Sequence, residues 1–348
     1  MVKLRLSIMM FAQYFAWGVW LVPLGTYMSR GLGFDTIIGA AYGMVGIATV
    51  LSTLFVGMIA DRFMAAEKLL GILSILAGAA LFWVSTVTAS PSLFLFGLLL
   101  HFLFYASTIP LATAIAFNAI DDIGREFPAV RVWGTIGWIV AGLLVGLIAG
   151  AAQTALPMRI AAGVYLALGL YAFTLPATPP RAKGRVVSVS AIFGLDVILR
   201  HREAAFWIFI ACTLALMIPR SFYDTYANAF FADKDLHLSL FGTRIEATGI
   251  QTAGQIFESL IVSGQIYVDR KFDAEARSRA QSFFNLITQG IGIVIGSNIA
   301  GVVYGANIGA DGAHDWRAIW IVPAVIAFVA MLLFALTFRE KIAEAPAA

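Results

Sequence analysis

Ten long apolar stretches follow one another along the chain, and they constrain its fold more than any other feature. Each holds roughly twenty residues, which is what a helix rising about 1.5 Å per residue needs to cross a hydrocarbon core about 30 Å thick. Of the 348 residues, 60% are hydrophobic and only 12% are charged, a composition too apolar for a soluble domain. The sequence therefore predicts an all-α polytopic membrane protein with about ten transmembrane helices. The predicted spans are 5–28, 37–60, 68–88, 92–118, 132–151, 159–176, 204–230, 247–268, 281–304 and 317–338.

Basic residues are unevenly shared between the loops on the two sides of the predicted bundle. If the N-terminus is cytoplasmic, most of the 23 lysines and arginines fall on the cytoplasmic side. The positive-inside rule therefore predicts a multi-pass protein of the cell inner membrane with both termini in the cytoplasm. The basic residues left for the outer side are Arg30, Arg159, Lys234, Arg244 and Arg317.

A stretch rich in proline and basic residues divides the predicted spans unequally. Six spans precede it and four follow, so we predict an N-terminal six-helix bundle over 1–178, a cytoplasmic linker over 179–203 and a shortened C-terminal bundle over 204–348. Two-bundle carriers are usually built from matched halves, so six spans against four requires an explanation.

Polar side chains in the predicted span 247–268 share one helix face. Gln251, Gln255 and Glu258 stand at positions i, i+4 and i+7. A carboxylate in a segment that must cross lipid is expensive, and it usually marks a pathway or a proton relay. Burial disfavours the charged form, so Glu258 could hold and release a proton near neutral pH. The alternative is a carboxyl group permanently hydrogen-bonded to a neighbouring helix.

The fifth predicted span carries a second polar face at its start. Arg131, Thr135 and Trp138 again stand at i, i+4 and i+7, which places a guanidinium, a hydroxyl and an indole on one side of the helix. Such a set can bind a polar solute through hydrogen bonds and stacking. Alternatively, Arg131 anchors the helix at the lipid headgroups, and Trp138 faces lipid or the protein core.

The seventh predicted span carries Arg220, Ser221, Asp224 and Asn228 on neighbouring positions of one face. Arg220 and Asp224 are four residues apart and can neutralise one another, in which case the pair has a structural role and does not bind substrate. If Asp224 instead faces a cavity, its carboxylate could accept a hydrogen bond from a substrate hydroxyl.

Several motifs resemble those of known transporters. Residues 57–62 (GMIADR) resemble the loop signature of the major facilitator superfamily. Four further stretches resemble the nucleoside:proton symporter family of that superfamily, and together they extend over nearly the whole chain. These stretches are 13–18 (QYFAWG) with 24–28 (LGTYM), 127–138 (FPAVRVWGTIGW), 254–258 (GQIFE) and 264–271 (GQIYVDRK) running on to 279–281 (RAQ).

This resemblance implies a two-bundle transporter of the major facilitator type that takes up nucleosides with protons by alternating access. It implies that Glu258 couples proton movement and that Gln255 takes part in substrate recognition. We add Arg131, Thr135, Trp138, Ser221, Asp224 and Asn228 as predicted substrate-binding residues. Family members carry mostly uncharged polar groups at the places of Ser221 and Asp224, so the acid at Asp224 is a departure that bears on substrate preference.

The resemblance also explains the uneven halves. Residues up to about Glu258 resemble the eighth span of the family, whereas residues from Gly264 onward resemble the end of the tenth. The junction at 259–263 therefore suggests that the rest of span eight, all of span nine and most of span ten are absent. Both joined family spans run in the same direction, so the hybrid span keeps the C-terminus on the cytoplasmic side.

Other functional classes have little support in the sequence. It has no G-x-x-x-x-G-K-[ST] loop for ATP, and its four histidines lack metal-ligand spacing. We predict a carrier, not an enzyme, with no cofactor beyond the proton gradient, no metal and no nucleic-acid partner. It would act as a monomer in the lipid bilayer. Two alternatives stay open: a symporter for another small sugar or polyol, and a remnant that binds without transporting because its second bundle is incomplete.

Overall fold

A computed structural model describes residues 2–62, 64–179, 190, 193–240, 243–254, 264, 267–268, 271–272, 274–309 and 312–339. Within these residues the chain is almost entirely helical. The main helices are α1 (Val2–Leu21), α2 (Ile38–Arg62), α3 (Ala66–Val84), α4 (Pro91–Tyr105), α5 (Thr108–Ala119), α6 (Ile123–Leu147), α7 (Leu156–Ala172), α8 (Ala204–Asp233), α9 (Ala247–Gly254), α10 (Ala274–Asn285), α11 (Ile293–Ala306) and α12 (Trp316–Thr337).

Shorter elements connect these helices. α1 is extended by a helical turn at Leu24–Thr26 and a π-helical turn at Tyr27–Gly31, and a second π-helical turn at Leu286–Gly292 joins α10 to α11. The departure from the all-helical expectation is a small antiparallel pair, β1 (Leu238–Leu240) and β2 (Thr243–Ile245), in the loop after α8.

The predicted spans agree well with the helices. Eight segments within the described residues are long and apolar enough to cross a membrane. The predicted span 159–176 corresponds to α7, which is apolar but shorter, and the predicted span 247–268 begins with α9. The junction at 259–263 lies outside the described residues, so the total of ten spans stays a prediction.

Side-chain caps define where several helices begin. The Ser90 hydroxyl accepts a hydrogen bond from the Leu93 amide at the start of α4, where Pro91 takes the first position. The Asp122 side chain likewise accepts a hydrogen bond from the Arg125 amide at the start of α6, and the Asp315 side chain accepts one from the Ala318 amide at the start of α12. A capping side chain satisfies an amide that has no partner within the helix, and proline is tolerated there because its missing N–H would be unpaired in any case.

The early helices and the late helices pack mainly among themselves, with a few close contacts between the two sets. α1 packs against α6 and α7, and α3 packs between α4 and α7. Among the later helices, α8 packs against α11 and α12. The two sets meet where α2 contacts α11 and where α6 contacts α9.

The bundle has two ends, which differ in how the early and late helices pack. We call the end where α1 begins the terminal end, and the end at Tyr27–Gly31 the distal end. Towards the distal end, one apolar cluster contains residues from both sets of helices, among them Trp20, Tyr226 and Tyr304. Towards the terminal end, the early helices and the late helices form separate clusters. In this conformation the two sets are therefore joined at the distal end.

Candidate functional site

Arg131, Thr135 and Trp138 lie along one face of α6, as their spacing predicts. Arg131 and Trp138 are half-buried, and Thr135 is exposed. Seven residues of helix separate the first group from the last by roughly 10 Å. This face therefore offers a guanidinium, a hydroxyl and an indole over a length suited to a solute of two ring systems.

The guanidinium of Arg131 rests on an aromatic ring of α1. Its Cζ atom lies 4.1 Å from the centroid of the Tyr14 ring, within the range of a cation–π interaction. Among the side chains that the structure describes, no carboxylate lies within salt-bridge distance of Arg131. The aromatic face orients the guanidinium without occupying its N–H donors, which remain able to bind a ligand.

Trp138 is held by a second aromatic residue of α1. Its ring centroid lies 5.3 Å from that of Trp17, and the two planes are nearly perpendicular, at 88°. A Cβ atom at Gly18 would lie 3.0 Å from the Trp138 indole, so the missing side chain leaves room for the ring. The Trp138 indole N–H is buried without a hydrogen-bond partner in the described part of the protein. Such a donor is costly to bury unless a ligand or water satisfies it.

Asp224 and Ser221 on α8 are both engaged within their own helix. The Arg220 Nε atom donates to the Asp224 carboxylate at 3.1 Å, so these two residues form the ion pair that the sequence left open as an alternative. The Ser221 hydroxyl donates to the Met217 carbonyl at 2.8 Å, and it packs where a Cβ atom at Gly296 of α11 would otherwise lie. Their predicted roles in substrate binding remain predictions.

Asn228 joins three elements at the distal end. Its carboxamide oxygen accepts a 2.6 Å hydrogen bond from the Thr26 hydroxyl, and its amide group donates to the Thr248 hydroxyl at 3.0 Å. All three side chains are at most 1% exposed. Asn228 thus connects α8 to the extension of α1 and to α9, and in this conformation it does not face solvent.

Of the three polar residues that share one face of the predicted span 247–268, the structure describes only Gln251. Gln251 is buried, its amide group donates to the Tyr223 carbonyl at 3.2 Å, and the Tyr223 hydroxyl donates to the Gln251 carbonyl at 3.0 Å. The Gln251 side-chain oxygen is buried and unpaired among the described residues. Gln255 and Glu258, the predicted recognition and proton-coupling residues, lie outside the described residues.

Glycines bring the two sets of helices close together at the distal end. A Cβ atom at Gly39 of α2 would lie 2.5 Å from the Ser297 carbonyl oxygen and 2.7 Å from the Gly301 Cα of α11. A Cβ atom at Gly146 of α6 would lie 2.9 Å from the Gly249 amide nitrogen of α9. Backbones this close leave no space for a solute between them.

A salt bridge also crosses the distal end. Arg30, in the extension of α1, pairs with Asp233 at the end of α8. The same carboxylate accepts a hydrogen bond from the Trp316 indole at 3.0 Å and lies 3.2 Å from the His314 Nδ1 atom. The distal end is therefore closed by packing, by the Asn228 junction and by charge.

Sequence reasoning missed the residues that hold the predicted site in place. Tyr14 and Trp17 lie in the stretch 13–18 that carries the family resemblance, but helix periodicity on α1 alone does not reveal which α6 side chains they touch. Thr26 also lies in such a stretch, and Thr248 has no signal of its own. Among the described residues no group of three or more His, Cys, Asp or Glu side chains could hold a metal ion.

Nearly the whole chain is similar to known proteins. The family model described as "Nucleoside H+ symporter" matches residues 1–261 and 237–343, two segments that overlap at 237–261. YegT of Escherichia coli (strain K12) is 31% identical, with 97% of this chain and 94% of that protein aligned. The xanthosine permease of the same organism is 26% identical, with 97% of this chain and 96% of the permease aligned.

A solved structure resembles the fold over its full length. The crystal structure of the nucleoside transporter NupG matches with a TM-score of 0.78 at 25% identity, covering 98% of this chain and 100% of that one. The alignment with YegT extends over 401 residues, more than the 348 of this chain, so it includes positions at which this chain has no residue.

Proposed function

The chain belongs to the nucleoside H+ symporter family, and on that premise we propose that it carries nucleosides together with protons across the membrane by alternating access. The same comparisons confirm three sequence predictions: the resemblance to the nucleoside:proton symporter family, the helical transporter fold of the major facilitator type, and a transporter rather than an enzyme. No further cofactor is needed, because the proton gradient supplies the free energy in such a symporter.

The observation that carries the proposed substrate site is the pairing of α6 with α1. Arg131 presents hydrogen-bond donors from above the Tyr14 ring, Thr135 adds an exposed hydroxyl, and Trp138 adds an aromatic plane. A nucleoside needs donors and acceptors for its ribose hydroxyls and base edge, and a flat surface for its base. We propose that it binds along this face and extends towards Asp224 and Asn228 on α8, and that Gln255 contacts it from the predicted eighth span.

Glu258 is the proposed proton carrier. Its place on the same stripe as Gln251 supports this role, because Gln251 is buried between helices and Glu258 lies two helical turns further along the predicted span. Loading a proton from outside would neutralise the carboxyl group and allow the loaded transporter to change conformation, after which proton and nucleoside leave inward.

We further propose that the terminal end faces the cytoplasm and that the described conformation is closed to the outside. The basic loops support this orientation, and the separate apolar clusters at the terminal end are what an inward-facing state requires. The organisation into a bundle at 1–178, a linker at 179–203 and a shorter bundle at 204–348 belongs to the same proposal, as do a monomeric state and the absence of a nucleic-acid partner.

The shortened second half supports an alternative function, that of a binding protein which does not transport. The family match divides into two overlapping segments at 237–261, and the alignment with YegT is longer than the chain. Both observations agree with a missing internal segment. A chain without this segment would keep the α6 face, which belongs to the first bundle, but its second bundle would lack helices that take part in alternating access.

The test is uptake of labelled nucleosides into energised membrane vesicles that contain the full chain, with and without a protonophore. We expect uridine, adenosine or xanthosine to accumulate and the protonophore to abolish accumulation. Ribose and a sugar alcohol serve as competitors, and stronger competition by either than by nucleosides would favour the polyol alternative. Nucleoside binding without accumulation would favour the non-transporting alternative.

A further inference from the structure

Two aromatic residues of α1 hold the two ends of the proposed nucleoside site. Tyr14 and Trp17 are three residues apart, so their side chains emerge on the same side of the helix, and their ring centroids are 6.3 Å apart. Tyr14 lies under the Arg131 guanidinium, and Trp17 lies against the Trp138 indole. The two contacts match the spacing of Arg131 and Trp138 on α6.

From this arrangement we propose that Tyr14 and Trp17 are positioning residues for nucleoside recognition. Tyr14 directs the Arg131 guanidinium towards the substrate, and Trp17 sets the plane of Trp138 against which the base stacks. The inference rests on the proposed function, because Arg131 and Trp138 are substrate-binding residues only if the protein binds nucleosides.

The contact between Tyr14 and Arg131 depends on a glycine. A Cβ atom at Gly134 would lie 2.7 Å from the Arg131 Nη1 atom and 2.7 Å from the Tyr14 Cδ2 atom. An alanine there would displace both side chains while leaving their chemistry intact. The next glycine on this face, Gly137, meets the Phe11 backbone instead, with a hypothetical Cβ atom 2.4 Å from the carbonyl oxygen. Gly137 therefore sets how closely α6 approaches α1, and Gly134 leaves space for the Arg131 side chain.

Trp17 also packs against buried aromatic residues in the core of the early helices. Its ring centroid lies 5.4 Å from that of Tyr105, which itself lies 5.5 Å from that of Tyr165. Tyr105 and Tyr165 are at most 2% exposed. Close packing leaves such rings few alternative rotamers, so Trp17 can act as a rigid support for Trp138.

An ion-pairing partner for Arg131 would make an aromatic support unnecessary. Within the described side chains, Lys3 bonds to Glu126 at 2.8 Å and Arg220 bonds to Asp224 at 3.1 Å, so both of these carboxylates have a basic partner other than Arg131. The Tyr14 face is thus the contact that the described structure offers to the Arg131 charge.

The experiment measures nucleoside affinity of the full chain purified in detergent, by equilibrium binding of labelled uridine and adenosine. We expect Tyr14→Leu to weaken binding about tenfold, in keeping with a partly desolvated cation–π contact. Tyr14→Phe, which keeps the ring face, should stay within about threefold of the unsubstituted chain. Phe15→Leu is the matched control, because Phe15 stacks on Phe11 and touches neither α6 residue in the described contacts.

A double-mutant cycle separates positioning from a general loss of structure. In an Arg131→Ala background, Tyr14→Leu should have almost no further effect, whereas in a Thr135→Ala background it should keep its full effect. Gly134→Ala should weaken binding like Tyr14→Leu, and Gly163→Ala should not, because no atom lies within 4 Å of a Cβ atom placed there. Trp17→Leu should reduce nucleoside affinity more than ribose affinity, and Trp17→Phe should restore most of the difference.

The outcomes distinguish this inference from the proposed function. If the unsubstituted chain binds no nucleoside, the proposed function fails and the inference fails with it. If it binds nucleosides but Tyr14→Leu binds equally well, or loses the same factor with and without Arg131, only the positioning role is overturned. Thermal unfolding of each purified variant shows whether it is folded, and Tyr14→Phe and Gly134→Ala keep the test decisive if Tyr14→Leu does not fold.

Discussion

The Thr26 hydroxyl donates a 2.6 Å hydrogen bond to the Asn228 side chain, joining the end of the first span to α8 across 202 positions of sequence. Asn228 is also a predicted substrate-binding residue. In this conformation its carboxamide is bonded to Thr26 and Thr248 and is buried. Closing the distal end and binding substrate would therefore use the same side chain, and Asn228 would have to exchange partners between conformations.

The first prediction concerns this junction. Thr26→Val removes the donor and keeps the side-chain size, so we expect the distal end to open about two- to tenfold more often, the equivalent of one hydrogen bond. The measurement is the labelling rate of an Ala229→Cys reporter by an impermeant maleimide, in a Cys212→Ser background. Thr113→Val is the control, since among the described residues the Thr113 hydroxyl bonds within its own helix, to the Ile109 carbonyl. Equal labelling of the two variants would contradict the role of Thr26.

A second prediction concerns stability at the same place. Asn228→Ala leaves the buried Thr26 hydroxyl without its Asn228 acceptor and removes the bond to Thr248, and the unmet hydroxyl costs about 1–3 kcal/mol of unfolding free energy. Thermal unfolding in detergent should show a lower midpoint for Asn228→Ala than for the exposed-site variant Thr86→Ala. Because Asn228 is also a proposed substrate contact, nucleoside should raise the midpoint of the unsubstituted chain more than that of Asn228→Ala.

The salt bridge between Arg30 and Asp233 gives the third prediction. Both side chains are about a third exposed, so the pair contributes at most about 1 kcal/mol and should bias the conformational equilibrium only a few-fold. We expect Asp233→Asn to lengthen the mean distance between spin labels at Leu32→Cys and Lys234→Cys, and the exchanged pair Arg30→Asp with Asp233→Arg to restore it. Glu126→Gln removes a partly exposed charge at the terminal end and should leave this distance unchanged. A distance unaffected by Asp233→Asn would show that packing alone closes the distal end.

Much of the fold could be predicted from local sequence patterns. Hydropathy located the spans, because each must present about twenty apolar residues to lipid whatever its neighbours are. Helical periodicity placed Arg131, Thr135 and Trp138 on one face, and the spacing of four residues allowed the Arg220–Asp224 ion pair to be considered.

Contacts between distant helices could not be predicted in the same way. The support of Arg131 by Tyr14, and the junction of Asn228 with Thr26 and Thr248, depend on how helices far apart in sequence are rotated and shifted against one another. Periodicity identifies the face of a single helix but not the partner of that face. The close approach of α2 to α11 at Gly39 and Gly301 likewise depends on both helices, and the sequence of either helix alone does not reveal it.

The fourth prediction concerns proton coupling. Glu258→Gln should abolish protonophore-sensitive accumulation of nucleoside while retaining part of binding and exchange, because the neutral amide resembles the protonated carboxyl group. Accumulation in vesicles with an imposed pH gradient, and exchange without one, measure the two activities separately. Unchanged accumulation at every pH between about 5 and 8 would remove Glu258 from the mechanism.

The fifth prediction concerns the internal junction at 259–263. If the equivalents of the ninth span and parts of its neighbours are missing, polar groups in the second half should lack partners, and Asn285 is indeed exposed although it lies within a predicted span. We expect the 348-residue chain to insert in the membrane with the loops near Arg185 and Arg277 and the C-terminus inside, and the loop at 233–235 outside.

Nucleoside uptake by the 348-residue chain should be slower than uptake by a variant in which the corresponding segment of YegT is inserted after Ser259. The measurement compares proton-dependent uridine uptake by the two forms at equal amounts in the membrane, with topology reporters fused at those positions. Equal rates would mean that the shorter second half suffices for alternating access, and a reporter after Arg277 on the outer side would mean that the hybrid span does not cross.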